Sequence, residues 1–322
     1  MQATTTGYAM DELTEAAALA VRAPSMHNSQ PWRFALNDGA IEVRLDPARL
    51  PDIPARAWAG RVSCGAAVFN LRLALAALGR PPAVVVRPVD RDVIAELVPD
   101  VPRPPSGAER ALHAAIPRRC SNRMPFRTEA VPADLRARLV AAARAEGGWL
   151  DLIIGASAVN ALAEVVNAAN RVLRRDPAYA AELARWRRDG GSAEDGVAER
   201  AAGYSPEPQD LLPMRAFGAR TRPPGRDYEP EPLVAVLGTA TDREADQVTA
   251  GQALERVLLT ATDAGLAVSM FSQAIEVPTA RARLRAALGR QGVPQLVLRI
   301  GYGQPGRPTP RRPVAAVIDP DV

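Results

Sequence analysis

"CGAAVFNLRLALAALG", residues 64–79, returns in altered form as "AGQALERVLLTATDAG", residues 250–265. The two stretches have the same length. Each has glycine in second place (Gly65, Gly251) and glycine at its end (Gly79, Gly265), and each runs into an apolar segment, "AVVVRPV" (83–89) or "LAVSMF" (266–271). Apolar spacing within both is helical, and a terminal glycine suits the left-handed residue that closes a helix. A second echo lies upstream of each. "LTEAAALAVRAPSMHNSQPWRFAL" (13–36) parallels "LRARLVAAARAEGGWLDLII" (135–154), a helix followed by a strand, but the later copy lacks everything resembling "PSMHNSQP". Two amphipathic helices can look alike by chance. The ordered recurrence instead predicts two fused halves, related as the subunits of a dimer are, with a ligand loop kept in only one.

Composition narrows the function. Of 322 residues, 47% are hydrophobic and 24% charged, the profile of a globular chain with a real core. The 40 basic residues are all arginine and face 36 acidic ones, so the net charge is only +4. Without a clustered basic face or interleaved aromatics, nucleic-acid binding is not expected. Cys64 and Cys120 form no disulfide framework, zinc spacing or redox pair. No apolar run is long enough to cross a bilayer, and the first residues lack the pattern of a secretory signal. A soluble, cytoplasmic protein is expected.

Further elements follow from capping and alternation. A helix is expected over Asp11–Arg22, and strands "WRFAL" and "IEVRL" around the turn "NDG". Ser106 and Glu109 form a capping box for a helix from 108 to 116, and Pro132 sits as the first residue of the next helix. Residues 149–154, 233–239, 266–271 and 294–303 are expected strands, residues 280–289 a helix, and Thr241 with Glu244 suggests a second capping box. From about 157 to 230, two helical pieces lead into a long irregular stretch of the kind that often forms a lid. The halves are expected as 1–100 and 101–322, the insertion belonging to the second.

Familiar catalytic patterns are missing. "GYGQPG" (301–306) matches G-x-G-x-x-G, but no helix follows, so a dinucleotide fold is not expected. His27 and His113 lack partners at metal spacing, no metal site is expected, and no nucleophile elbow is present. Chemistry would then come from a cofactor. "RRCSNRMPF" (118–126) sets Arg118, Arg119 and Arg123 around Ser121 in one turn. Such a cluster suits a phosphate, although surface pairing with carboxylates is the plainer alternative. Arg311 and Arg312 are candidates for the same anion.

"RAPSMHNSQPWRF", "RCSNR" followed by "PF", "GLAVSMF" and "PRRPV" together resemble the FMN-dependent nitroreductase family, over about residues 11–318. They are most similar to its Acg-type subgroup, in which two half-subunits share one chain. The resemblance implies an α+β fold: a mixed, mostly antiparallel sheet flanked by helices, two pseudo-symmetric halves and a lid. It implies one FMN per chain, NAD(P)H as donor, and a nitroaromatic or quinone as the small-molecule acceptor, in a monomer that imitates the family dimer. Pro24, Ser25, Met26, Asn28 and Gln30 would meet the flavin from the first half. Arg119, Ser121, Arg311 and Arg312 would hold phosphate and ribityl chain, with Arg123 near N1 and O2 of the ring. The backbone of Met270, Phe271 and Ser272 would line the side near N5, where the family often carries Glu-Gly. Trp186, Met214 and Phe217 would cover the ring. The flavin would carry the chemistry, with no catalytic side chain. A lidded FMN-binding protein with little turnover is the alternative.

Overall fold

The computed structural model describes residues 7–37, 39–87, 92–188 and 193–319. Helix α1 (Met10–Ala20) leads through a short loop to strands β1 (Trp32–Asn37) and β2 (Ala40–Leu45). Helix α2 (Arg56–Ala77) and strands β3 (Pro82–Val86) and β4 (Val93–Pro99) complete a four-stranded antiparallel sheet in the order β1-β2-β4-β3. After α3 (Gly107–Ala115) the plan repeats. Helix α4 (Ala133–Ala145) leads to β5 (Trp149–Ile153). After an insertion come β8 (Leu233–Thr239), α7 (Glu244–Asp263), β9 (Ala267–Phe271) and β10 (Val293–Gly301). This second antiparallel sheet has the order β5-β8-β10-β9, the same path as the first. Short α8 (Gln273–Glu276) and α9 (Pro278–Leu288) fill the β9–β10 connection.

The recurring stretches that opened the sequence are α2 and α7, and they pack on one another. Their glycines set how closely. A Cβ added to Gly65 would lie 2.2 Å from the Val248 carbonyl oxygen, and one on Gly251 would lie 2.1 Å from that of Val62. Backbone therefore touches backbone where the halves meet. Each core borrows from the opposite helix: Val248 of α7 joins the core around Trp32, Phe34 and Ile41, while Trp58 and Val62 of α2 join the one around Trp149, Leu237 and Val257. Apolar burial, at roughly 25 cal/mol per Å², holds the halves together through this interlock.

Two segments extend the sheets in parallel. Residues 317–319 run beside β1, with the Phe34 N–H donating to Val317 O (2.8 Å) and the Asp319 N–H to Phe34 O (2.8 Å). Residues 121–122 run beside β9, where the Asn122 N–H donates to Val268 O (2.9 Å). The insertion lies between β5 and β8, whereas β1 and β2 of the first half are separated by only two residues in sequence. It contains α5 (Ala156–Arg174), α6 (Pro177–Trp186), a parallel pair of two-residue strands β6 (Arg187–Arg188) and β7 (Val197–Ala198), and an irregular stretch to residue 232. Val159, Leu162, Val166 and Leu173 of α5 belong to the second core. Only the later part of the expected lid reaches over the site.

Several sequence expectations shift. Helix α2 begins eight residues before the expected start, because Trp58, Ala59 and Val62 already face the interior. Strand β4 was not anticipated, since its ends merge into Pro99 and the proline-rich segment beyond. "AVVVRPV" is a strand only to Val86, and its last two residues lie outside the described ones. The capping box of α3 forms as expected: Ser106 Oγ accepts from Glu109 N–H (3.2 Å), and Glu109 Oε2 accepts from Ser106 N–H (2.7 Å). Pro132 is the residue before α4 rather than its first. At α7 the capping carboxylate is Asp246, which accepts from the Arg243 N–H (2.9 Å) and from the Thr241 hydroxyl; Glu244 pairs instead with Arg61.

Candidate functional site

The loop after α1 is held in unusual backbone. His27, Asn28 and Gln30 have φ of 54°, 57° and 53°, three of the four non-glycine residues at positive φ among the described residues. Each such residue costs on the order of 1 kcal/mol or more, and such strain clusters at functional sites. Side-chain hydrogen bonds hold it there. Gln30 Nε2 donates to Glu194 O (2.8 Å), and Gln30 Oε1 accepts from the Arg312 N–H (2.8 Å). Asn28 Nδ2 donates to Gly196 O and Pro310 O (3.0 Å each), while Asn28 Oδ1 accepts from Arg311 (2.9 Å). The loop thus ties the tail and the insertion to the first half.

Two adjoining cavities open against this loop, sharing Pro24, Ser25 and Arg123. The first is mainly apolar and partly open to solvent. Met26 and His27 of the loop, Trp58 and Val62 of α2, Met270 and Phe271 of β9, and Met214 and Phe217 of the insertion contribute to its wall. Arg215 joins them from the insertion. Its guanidinium donates to Ser272 Oγ (2.7 Å), Tyr179 OH (2.9 Å) and the buried Glu276 carboxylate. Arg123 lies near the Phe217 ring (5.6 Å) and donates to Ala201 O (3.0 Å). The insertion is therefore latched on both sides of the cavity.

The second cavity is walled by Arg22, Arg119, Arg123, Arg307 and Arg311, with Ser121, Cys120 and Thr309 between them. One buried carboxylate, Glu255 of α7, stands 3.5 Å from Arg119 Nε. Arg119 Nε and Nη1 and Arg311 Nε are buried without hydrogen-bond partners. Burial, then Arg119 and Arg22, push the Arg311 guanidinium down to about 9; burial and Arg215 push Arg123 down to about 10. Burial raises the Glu255 carboxyl to about 7, outweighing the attraction of Arg119. Excess positive charge with open donors is the electrostatic signature of an anion site.

Pro24, Ser25, Met26, Arg123, Met270, Phe271, Ser272, Met214 and Phe217 line the apolar cavity, and Asn28, Arg119, Ser121 and Arg311 line the arginine one. Three expected residues stand elsewhere. Gln30 is fully engaged in bracing the loop. Arg312 points away, donating to Ala316 O (2.6 Å), and only its backbone N–H serves the loop. Trp186 packs behind Phe217 with Val197 and Ala202, and does not reach the cavity. Sequence reasoning missed Arg22, Arg307, Trp58 and Arg215. Arg215 lies within "PMRAF", between two residues that were singled out, so proximity was the available signal. Arg22 opens the quoted stretch "RAPSMHNSQPWRF" and had the same signal, whereas Arg307 gave none beyond its charge. Among the described residues, no group of three or more His, Cys, Asp and Glu side chains could share a metal ion, and no helix is long and apolar enough to cross a membrane.

Comparison with known proteins places this arrangement. The chain is 35% identical to the Mycobacterium tuberculosis H37Rv protein named "Putative NAD(P)H nitroreductase Rv3131", over 94% of this chain and 89% of that protein. It is 30% identical to "Putative NAD(P)H nitroreductase acg" of the same strain, over 96% and 95% of the two chains. Among solved structures, a BluB-like flavoprotein from Clostridium difficile 630 aligns over 64% of this chain and 96% of that one, at 15% identity and a TM-score of 0.43. No family model matches the chain. The chain belongs to the nitroreductase family, within its Acg-like group.

Proposed function

We propose that this protein is an FMN-dependent oxidoreductase that draws on NAD(P)H and reduces a small acceptor, a nitroaromatic or a quinone. The observation that carries the reading is the division of one site into two joined cavities. One is mainly apolar, the other lined by arginines, of which Arg119 and Arg311 keep buried nitrogens without hydrogen-bond partners. FMN has that same division, an aromatic ring system at one end and a phosphate at the other, so the residues present fit the group. Arg119, Arg311 and Ser121 would hold the phosphate, and Met26, Met270 and Phe271 would flank the ring. When bound, the flavin supplies the redox chemistry, taking a hydride at N5 and passing electrons to a second compound. Arg123, shared by both cavities, would place positive charge where reduction adds negative charge. The apolar walls and the insertion would shield the ring from water. The names carried by the relatives support the same activity.

The latched insertion favours a second reading, in which the protein holds FMN with little turnover. Met214, Arg215 and Phe217 close one wall of the apolar cavity, held by the buried Arg215–Glu276 pair, and there they would restrict the approach of a nicotinamide. Anaerobic titration of the purified protein separates the two. Bleaching of the flavin absorbance by NADPH supports the reductase. A flavin that stays oxidised with NADPH yet accepts electrons from dithionite supports the binder. A colourless protein that takes up no added FMN refutes both.

A further inference from the structure

The loop's hydrogen bonds are unevenly committed. Asn28 and Gln30, the residues expected to meet a ligand, use their side-chain amides on Gly196, Pro310, Arg311, Glu194 and Arg312. Ser25 Oγ accepts from the Gln30 N–H (3.0 Å), which leaves its proton to give. His27, between them, is 4% exposed, and neither Nδ1 nor Nε2 has a hydrogen-bond partner. A buried imidazole left unpaired costs about 1–3 kcal/mol. The chain also accepts positive φ to put this side chain at the wall of the apolar cavity, with its ring edge-on to Phe217 at 5.3 Å. Packing alone would be met by an apolar residue with no polar nitrogens to leave unpaired.

We infer that His27 is the loop's ligand-recognition residue, its imidazole N–H donating to an oxygen on the edge of the planar ring bound in the apolar cavity. The inference rests on the flavin-site reading above and deepens it. Burial, with the charges of Arg215 and Arg123 behind it, holds the imidazole far below its ordinary range. It is therefore neutral near pH 7 and presents one donor and one acceptor. A neutral donor suits a carbonyl or nitro oxygen, because binding then requires no proton to be taken up. Two ring systems carry such an oxygen: the flavin, through its carbonyls, and the electron acceptor.

The chain has only two histidines, and His113, half-buried on α3 outside both cavities, is an internal reference. Protein with ¹⁵N-labelled imidazoles gives two side-chain signal sets, assigned with His113→Gln. If the oxygen belongs to the flavin, adding FMN to flavin-free protein moves the His27 nitrogen signals and leaves those of His113 in place. His27→Asn, which tolerates the left-handed backbone, and His27→Phe, which keeps the packing on Phe217, then each weaken FMN binding about tenfold. If the oxygen belongs to the acceptor, FMN affinity is unchanged in both variants. Nitrobenzene added to the oxidised, flavin-loaded protein is then what moves His27. FMN that binds, with His27 silent to both FMN and nitrobenzene, overturns the inference and leaves the flavin reading standing. Failure to bind FMN at all overturns both.

Discussion

Replacing Gly251 with alanine tests whether the contact between α2 and α7 governs both the fold and the site. Alanine normally gains about 1 kcal/mol over glycine inside a helix, because the unfolded chain is less free. Here its Cβ would stand 2.1 Å from Val62 O and 2.8 Å from Gly65 Cα, both atoms of the facing backbone. That is about 1 Å too close for a packed interior, and no rotamer can relieve it. Overpacking of this kind costs about 1–3 kcal/mol, and an unyielding neighbour puts this case at the upper end. The clash therefore wins, with a net loss of about 2 kcal/mol. At roughly 2.1 cal/mol/K per residue, unfolding a chain this long lowers Tm by about 3 °C for that loss. Val62 of α2 and Leu254 of α7 both line the apolar cavity, so separating the helices also reshapes it. FMN affinity should fall together with Tm. Gly107→Ala is the control: its nearest neighbour is the tip of Arg110 at 3.9 Å, and a small rise in Tm is expected. Thermal unfolding followed by circular dichroism reads both variants. A Gly251→Ala protein as stable as the wild type would refute the role given to this crossing.

Glu255 makes stability depend on pH. Its folded carboxyl is raised from 4.5 to about 7, so its contribution is full below about pH 4.5 and is lost as pH rises through 7, by about 3 kcal/mol. Glu255→Gln keeps the neutral form, and the difference in denaturant-measured stability between it and the wild type should change by that amount between pH 4.5 and pH 8; a flat difference refutes the assignment. Arg119→Ala should weaken FMN binding about 10- to 100-fold while leaving riboflavin, which lacks the phosphate, nearly unaffected; equal losses for both ligands in fluorescence titration would contradict a phosphate role. Saturation of flavin-free protein should occur at one FMN per chain, and a stoichiometry of two would contradict the single site.

The fold was legible where local chemistry and tertiary packing agree. The glycine-marked recurrence of α2 and α7, the Ser106–Glu109 cap and the alternation of β1 and β2 each follow from side-chain spacing, and each forms. Strand β4 escaped because its face toward the core is recognisable only once β2 and β3 flank it. The start of α2 escaped because Trp58 and Val62 pack against the other half of the chain, a partner remote in sequence. For the site, charge and loop chemistry identified Arg119, Arg123 and the segment from Pro24 to Asn28 as neighbours of the cavities. What those residues could not disclose was which hydrogen bonds the protein would use on itself. Gln30 and Arg312 have suitable chemistry and are used elsewhere, Gln30 on the backbone of Glu194 and Arg312, and the Arg312 guanidinium on Ala316 O.

The same comparison explains why two similar halves make one site. Gly251 and Gly65 occupy matching places in α7 and α2, and the residues four positions beyond them are Glu255 and Phe69. Glu255 stands beside Arg119 at the arginine cavity. Phe69 is packed with Leu73, Leu112, Ile116 and Leu259, and the guanidiniums of Arg72 and Arg256 lie against its ring at 5.4 and 6.0 Å. Those two arginines pair with Glu146, in the connection where the second half has no counterpart of the 24–30 loop. Gly147 and Gly148 take the chain straight from α4 into β5, with Gly148 so close to Ala253 that a Cβ would stand 2.9 Å from its methyl. At one of the two matching positions, arginine nitrogens without hydrogen-bond partners surround open space; at the other, Arg72 and Arg256 meet the Glu146 carboxylate and the Phe69 ring fills the space. Joining the halves in one chain lets the two matching positions differ, one left open between the halves and the other filled by packing.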